Sequence, residues 1–208
     1  MSSQSGKTVD SKITEIIESG DLSTLIPECE NIELEYCSDR DNKVSSYFYA
    51  SFLFGYLINN DLDNCRFLWK RIPKEIKKAE VAAVWKIGQA LWQRDYTETY
   101  NAVKNFQWSQ ALKPLVDAFL TNLRNRNLNL IAKAYNSVSV SDLSVMLGMG
   151  EEEVIQHVMS DYVDFHYDQQ TKYFTPNKNI LKTNETTKST GLDTISSLAK
   201  KTLFLELN

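Results

Sequence analysis

Apolar residues recur at every third or fourth position over residues 11–126, which predicts a series of amphipathic helices. The section 45–106 is the most regular and predicts four helices with polar breaks between them. Asp61 follows one of these breaks and is expected to cap the next helix, since aspartate is a favoured N-cap residue. Residues 1–10 are polar and are predicted to be disordered.

The four helices form two similar pairs when the first pair is shifted by 34 residues. Residues of like character then coincide: Ala50 with Val84, Leu53 with Ile87, Leu57 with Leu91, and Asp61 with Asp95. A period of 34 is typical of tetratricopeptide (TPR) helical hairpins. The sequence therefore predicts two stacked hairpins in an α-solenoid, whose neighbouring repeats bury a shared core.

Four tryptophans belong to this region, and they have two interpretations: Trp69, Trp85, Trp92 and Trp108. They can fill the core between the helices, or they can form an aromatic box that binds a ligand. All but Trp108 lie on the apolar stripes described above, so the core is the expected position.

Residues 127–175 have a different pattern, which predicts a winged helix. Short elements of alternating type follow the last long helix, which ends near Asn136. In chain order they are a β-like run Val138–Val140, a helix Ser141–Leu147, a turn Gly148–Gly150, a helix to about Ser160, and strands Tyr162–Tyr167 and Lys172–Phe174.

The end of the chain is predicted to be a polar linker over 176–191 and an amphipathic helix over 192–207. An isolated helix of this length is marginal in water, so its apolar face is expected to bind a partner. That face comprises Leu192, Ile195, Leu198, Ala199, Thr202 and Leu205. The predicted fold class is therefore mainly α: a TPR-like helical-repeat solenoid, a winged-helix subdomain and a C-terminal amphipathic helix.

Composition adds few constraints. The chain has 208 residues, a formal net charge of −4 and 42% hydrophobic residues, which is ordinary for a globular protein. A mildly acidic chain lacks the overall basic charge of many nucleic-acid-binding proteins. No stretch has the length and hydrophobicity of a membrane span or a secretory signal, so no membrane partner is expected. Cys29, Cys37 and Cys65 form no C-x-x-C pair and are expected to be buried, reduced thiols.

The candidate catalytic residues are few. The chain has two histidines and lacks the H-E-x-x-H, G-x-S-x-G, P-loop and G-x-G-x-x-G motifs, so no catalytic site, cofactor or metal is expected. His157 lies beside apolar residues of a predicted helix and is interpreted as structural rather than as a metal ligand. Glu151, Glu152 and Glu153 are assigned to a first helical turn, where carboxylates interact favourably with the helix dipole.

A winged helix can bind nucleic acid through Arg, Lys, Asn or Gln of its recognition helix. Here that helix has three glutamates and no Lys or Arg, so the sequence argues against phosphate binding. The alternative is pairing between a wing strand and another sheet. Lys172–Phe174 is predicted to be the edge strand and 162–167 the wing. The predicted contact residues are Tyr162, Val163, Phe165, Tyr167, Lys172, Tyr173 and Phe174.

Basic residues recur every four positions from Arg66 to Lys78. They are a solvated helix face or, alternatively, a surface for an acidic partner, and Pro73 interrupts the stripe. The residues of this candidate surface are Arg66, Lys70, Arg71, Lys74 and Lys78.

Four runs of the sequence resemble the PCI domains: Phe52–Lys77, Val84–Tyr96, Phe106–Phe119 and Leu130–Val158. The resemblance is to the small PCI family of COP9 signalosome subunit eight, a proteasome-lid subunit and the k subunit of translation initiation factor three. The signalosome branch is the most similar of these, and the LWKRIP and WQRDY runs are the most specific.

This resemblance implies a non-catalytic scaffold subunit in the nucleus and cytoplasm. It would support assembly of the complex that removes NEDD8 from cullins of cullin–RING ubiquitin ligases. The isopeptidase site is then expected in another, zinc-binding subunit. The resemblance also implies that the winged helix contacts other PCI subunits and that the C-terminal helix joins a helical bundle. The proteasome lid and initiation factor three, the latter with a contact to RNA, are the alternatives.

Overall fold

The computed structural model describes residues 2–20, 22–37, 44–77, 79–161 and 165–176. Within these ranges the chain forms nine helices and three short strands. The helices that precede the winged helix are α1 (Ser2–Ser19), α2 (Leu25–Cys37), α3 (Ser46–Ile58), α4 (Leu62–Arg71), α5 (Ala79–Trp92), α6 (Tyr96–Lys104) and α7 (Lys113–Ala134). The remaining elements are β1 (Val138–Ser139), α8 (Val140–Leu147), α9 (Glu151–Asp161), β2 (Phe165–Asp168) and β3 (Tyr173–Pro176).

The turns after α3 and α5 repeat the same backbone geometry, in agreement with the 34-residue period. Asn60 and Arg94 both have a left-handed conformation with φ of 59°. The residue after each, Asp61 or Asp95, caps the next helix by accepting a hydrogen bond from the backbone N–H three positions on, at 3.1 and 2.9 Å. The N–H of each aspartate donates to the carbonyl five residues back, at 2.9 and 3.0 Å, which closes the preceding helix.

Helix α3 is the centre of the helical region. It packs against α1, α2, α4, α5 and α7. All ten residues from Phe48 to Leu57 are buried, although the spacing predicted a helix with one buried face. A helix surrounded on all sides must be largely apolar all round, and the buried run of α3 is, apart from Ser51 and two tyrosines. Gly55 lets α2 approach closely, since a Cβ there would lie 3.2 Å from Cγ1 of Ile26.

The N-terminal segment differs from the prediction of disorder for residues 1–10. Helix α1 begins at Ser2, and Val9 is buried in the main core. Asp10 links α1 to the start of α3, because the hydroxyl of Ser45 donates a 2.6 Å hydrogen bond to its carboxylate. Ser45 is also the N-cap of α3. The local polarity of the segment did not reveal this long-range contact.

Helix α7 runs alongside two hydrophobic cores. The larger core includes α7 residues up to Leu123, and a second, smaller core begins at Leu128 and extends to Phe174. The division between the cores falls beside the predicted domain boundary at 126/127. The division into these two domains stays a prediction. Pro114 lies in the first turn of α7, where proline is tolerated.

The order of elements after α7 is that of the predicted winged helix. The described strands form an antiparallel sheet in the order β1-β3-β2. Phe174 of β3 pairs with Val138 of β1 on one side and with Tyr167 of β2 on the other. The prediction that Lys172–Phe174 is an edge strand is therefore wrong: β3 is the central strand.

Several predictions lie outside the described residues. These are Lys78, Tyr162 and Val163, the linker from residue 177 onward, and the C-terminal helix with Leu192, Ile195, Leu198, Ala199, Thr202 and Leu205.

Candidate functional site

Strand β2 forms one edge of the winged-helix sheet. Its outer side pairs with none of the described strands. Phe165 and Tyr167 are half-buried and turn inward onto Phe174, with ring centroids 6.4 and 4.8 Å away. His166 and Asp168 are exposed on the opposite face of the strand. An edge strand offers unpaired N–H and C=O groups to a strand of another chain.

The predicted contact residues on the sheet do not all reach the surface. Phe174 is fully buried in the winged-helix core, so its side chain is structural rather than a contact. Tyr173 is exposed on β3, and Lys172 is exposed in the turn between β2 and β3. Phe165 and Tyr167 lie on β2 itself. Of the predicted contact residues that the structure describes, two therefore lie on the edge strand, two are exposed beside it, and Phe174 belongs to the core.

The turn between β2 and β3 is organised by Asp168. Its carboxylate accepts hydrogen bonds from the Thr171 hydroxyl at 2.7 Å and the Gln170 backbone N–H at 2.9 Å. These bonds, that of Thr171 above all, hold the pKa of the Asp168 carboxyl below its usual range. Lys172 completes the turn with a left-handed φ of 57°.

Helix α9 presents an acidic surface beside the sheet. Glu151, Glu152 and Glu153 are exposed in its first turn, and the helix carries no Lys or Arg. The Gly150 backbone N–H donates to the Glu153 carboxylate at 3.2 Å, so this glutamate helps to begin the helix, as predicted for the cluster. Three carboxylates in the position of a recognition helix would repel nucleic-acid phosphates.

The winged helix is joined to the helical region by hydrogen bonds at the C-terminal end of α8. The Lys104 ammonium donates to the Gly148 carbonyl at 2.9 Å, and the Arg124 guanidinium donates to the Leu147 carbonyl at 3.3 Å. The Asn127 side chain donates to the Met146 carbonyl at 3.1 Å. Side chains of α6 and α7 thus satisfy three carbonyls of the last turn, where positive charge is favoured by the helix dipole. We call this contact the wing junction.

Gly148 is a point of close packing in the wing junction. It has a left-handed φ of 62°, and a Cβ at this position would lie 2.3 Å from Cγ of Tyr100. Tyr100 is buried, and its burial raises the pKa of its phenol to about 12. The sequence predicted the turn at 148–150 but none of its partners, because they lie on α6 and α7. A glycine ending a helix was the available signal.

The basic stripe is not one continuous surface. Helix α4 ends at Arg71, and Lys74 lies in the turn that follows Pro73. Arg71 forms an ion pair with Glu33 at 2.6 Å. Lys77 lies over the ring of Trp69, with its Nζ 4.5 Å from the centroid. Arg66 and Lys70 remain exposed on α4.

Three of the four tryptophans pack against the main core, as predicted. Trp69 and Trp85 stack nearly parallel, with centroids 5.2 Å apart, and the Trp108 indole donates to the Val103 carbonyl at 2.9 Å. The prediction is wrong for Trp92, which is 50% exposed. Trp92 follows the buried Leu91 directly, and adjacent helix positions point in different directions.

Cys29 and Cys65 are buried free thiols, as predicted, and burial raises the pKa of Cys65 to about 12. The side chain of Cys37 lies outside the described residues. In the parts of the chain that the structure describes, no three His, Cys, Asp or Glu side chains come together in a group that could hold a metal. None of the helices in those parts has the length and apolar character to cross a membrane.

A helical repeat followed by a winged helix is the architecture of a subunit of the PCI type. The comparison with family models agrees: the model of the CSN8/PSMD8/EIF3K family matches residues 43–185, more than half of the 208 residues. The chain belongs to this family.

Three of the matching relatives belong to the signalosome branch of this family. The chain is 39% identical over 132 residues to "COP9 signalosome complex subunit 8" of Danio rerio, covering 62% of this chain and 68% of the relative. The protein of the same name from Arabidopsis thaliana is 35% identical over 153 residues, covering 73% and 78%. That from Dictyostelium discoideum is 30% identical over 197 residues, covering 94% and 96%.

Proposed function

We propose that this chain is a non-catalytic scaffold subunit of a COP9 signalosome, the complex that removes NEDD8 from cullins of cullin–RING ubiquitin ligases. The family and the names of the relatives support this assignment over the proteasome lid or initiation factor three. The isopeptidase site belongs, in this proposal, to another, zinc-binding subunit. The proposed locations are the nucleus and the cytoplasm.

The observation that carries the proposed role is the outer position of β2 in the winged-helix sheet. A PCI subunit of the same complex would pair with this edge through backbone hydrogen bonds. Lys172 and Tyr173 flank the contact on the exposed side of the hairpin. The acidic first turn of α9 supports a protein partner in this role, because it disfavours nucleic acid.

The wing junction fixes the orientation of the winged helix, and so of the proposed contact, relative to the helical region. Lys104, Arg124 and Asn127 hold the end of α8 against the helical region. A binding strand on a rigidly attached subdomain loses less conformational entropy on association than a strand on a free linker. A second contact is proposed for residues 192–207, whose apolar face would join a helical bundle of several subunits.

The test is affinity purification of the tagged full-length chain from cells, followed by mass spectrometry. We expect other signalosome subunits to co-purify in comparable amounts. Recovery of proteasome-lid or initiation-factor subunits in their place would overturn the assignment. Activity of the isolated chain on a NEDD8-conjugated cullin would overturn its non-catalytic role.

Two variants then test the proposed contacts separately. In the β2–β3 ladder the backbone of His166 faces its partner Thr175, so the N–H of Tyr167 is the one that points to the outer side. Tyr167→Pro removes this N–H, and we expect it to weaken co-purification at least tenfold. Tyr167→Val keeps the N–H and is the matched control, provided both variants have the same melting temperature. Deletion of residues 192–208 is expected to weaken incorporation independently. Equal recovery of Tyr167→Pro and Tyr167→Val would exclude β2 as a contact.

A further inference from the structure

A groove between α4 and α5 lies outside the contacts described above. Leu62 and Arg66 of α4 form one wall, and Trp85, Gln89 and Trp92 of α5 form the other. Its volume is about 230 Å³. We call it the Trp92 groove.

The size of the Trp92 groove limits what it can hold. Pockets for cofactors and drug-sized molecules measure roughly 300–1,000 Å³. A volume of about 230 Å³ is below this range, so the groove is suited to one large side chain rather than to a whole cofactor. The rest of such a ligand would have to lie outside the groove, along the helices. A linear peptide segment meets both conditions.

The chemistry of the groove favours an apolar side chain next to a carboxylate. Trp85 and Trp92 provide two aromatic surfaces, and the Arg66 guanidinium lies 5.4 Å from the Trp92 ring centroid. Arg66 forms no ion pair with any of the residues that the structure describes, and the lining of the groove contains no Asp or Glu. Lys70, one turn further along α4, is exposed but lies outside the lining of the groove.

The Trp85 side of the groove is held in place before any ligand binds. Trp85 stacks on Trp69 with an angle of 6° between the ring planes, and the ammonium of Lys77 lies over the Trp69 ring. Gly88 leaves the base of the groove without a side chain. Fixed aromatic rings lose little conformational entropy on binding, and Trp and Arg are the residues most often found at binding hot spots.

We propose that the Trp92 groove is a docking site for a linear segment of a partner protein in which a large apolar side chain neighbours an Asp or Glu. The apolar side chain sits between Trp85 and Trp92, and the carboxylate binds Arg66 by paired hydrogen bonds. This site lies on α4 and α5, whereas the assembly contact proposed above lies on β2. Either assignment can therefore fail without the other.

The experiment is a peptide selection on the purified full-length chain, using a phage library of random twelve-residue peptides. Phage that also bind Trp92→Ala are removed by counter-selection. We expect the surviving peptides to share an aliphatic or aromatic residue within two positions of Asp or Glu. A set without this pair, or with a basic consensus, would overturn the proposal.

A fluorescein-labelled consensus peptide then measures affinity by anisotropy. We expect Trp92→Ala and Arg66→Ala each to weaken binding at least tenfold, and Arg66→Ala to reduce the salt dependence. Arg66→Glu should bind the peptide better when its acidic residue is replaced by Lys. This charge reversal is informative even if Trp92→Ala impairs folding, because Arg66 is exposed.

Two matched controls lie on the same helix but outside the lining. Phe67 is an aromatic residue that is 54% exposed, and Lys70 is an exposed cation one turn from Arg66. We expect Phe67→Ala and Lys70→Ala to change the affinity less than threefold. Loss of binding in the Phe67 variant equal to that in the Trp92 variant would show that the groove is not the site. Displacement of the peptide by a short single-stranded RNA at equal concentration would contradict recognition of a protein segment.

Discussion

The helical repeats and the winged helix end their helices by similar backbone turns but use different partners. Asn60 and Arg94 end α3 and α5, and Gly148 ends α8, all with a left-handed φ. In the repeats, the aspartate after each turn, Asp61 or Asp95, makes hydrogen bonds within five residues along the chain. These turns are therefore specified by local sequence.

The turn after α8 depends on distant residues. Lys104 is 44 positions away from the carbonyl it binds, and Arg124 is 23 positions away. Tyr100 fills the space in which a side chain at Gly148 would lie. The winged helix also has the smaller of the two cores, and a unit of about 50 residues is marginal by itself. The winged helix therefore gains stability from its attachment, whereas the repeats are stabilised largely by one another.

Replacement of Gly148 should have the largest effect. Gly148→Ala forces a Cβ into the ring of Tyr100 and also places alanine at a positive φ. Backbone strain and overpacking each cost about 1–3 kcal/mol, so we expect a loss of roughly 3 kcal/mol in the free energy of unfolding. Urea denaturation measures this loss. Hydrogen exchange should show that α8, α9 and the sheet lose protection before α3 does.

Substitutions at two other glycines separate the effect of backbone strain from that of overpacking against Tyr100. Gly20→Ala also places alanine at a positive φ, but a Cβ there meets no atom of the described residues within 4 Å, so it should cost only about 1 kcal/mol. Gly150→Ala adds a Cβ 3.9 Å from Glu153 without a positive φ and should cost less than about 1 kcal/mol. If Gly148→Ala were no worse than Gly20→Ala, the long-range part of the comparison would be wrong.

The same distinction explains what could be predicted from the sequence. The two helical hairpins were predictable because their caps and apolar stripes repeat within 34 residues, and Asp61 and Asp95 mark the breaks. The order of the winged-helix elements was predictable from its short apolar runs and the Gly148–Gly150 turn.

What could not be predicted rests on contacts between distant segments. The central position of β3 follows from the pairing of Phe174 with Val138, which no local pattern encodes. Within α1, Asp10 accepts a hydrogen bond from Ser45, which is 35 positions away. Trp92 was misassigned because an apolar stripe near the end of a helix does not show whether another helix covers it.

The helix caps should give an intermediate and equal effect in the two repeats. Asp61→Ala and Asp95→Ala each leave a backbone N–H of the next helix without its side-chain acceptor. We expect each to cost about 1 kcal/mol in urea denaturation, because both hydrogen bonds are exposed and local. Asp63→Ala is the control, since Asp63 lies in the first turn of α4 without capping it. A cost at Asp95 far above that at Asp61 would show that the repeats are not equivalent.

The smallest effect is expected at the turn between β2 and β3, which is local although it belongs to the winged helix. Hydrogen bonds from Thr171 and Gln170 lower the pKa of Asp168, so its contribution to stability is present above its unfolded pKa of about 3.9. That contribution is lost as the pH falls through the lowered folded pKa. Thr171→Ala should raise the Asp168 pKa toward its ordinary value in an NMR titration. Gln170→Ala should not, because the donor there is the backbone N–H.

At pH 7 we expect Thr171→Ala to change the melting temperature much less than Gly148→Ala, since its hydroxyl bonds only within the turn. This outcome would show that the loss of stability depends on how far apart the contacting residues lie in the sequence, rather than on their location in the winged helix. A loss as large as that of Gly148→Ala would instead show that every part of this small subdomain is equally critical. The wing junction would then have no special role in holding the winged helix to α6 and α7.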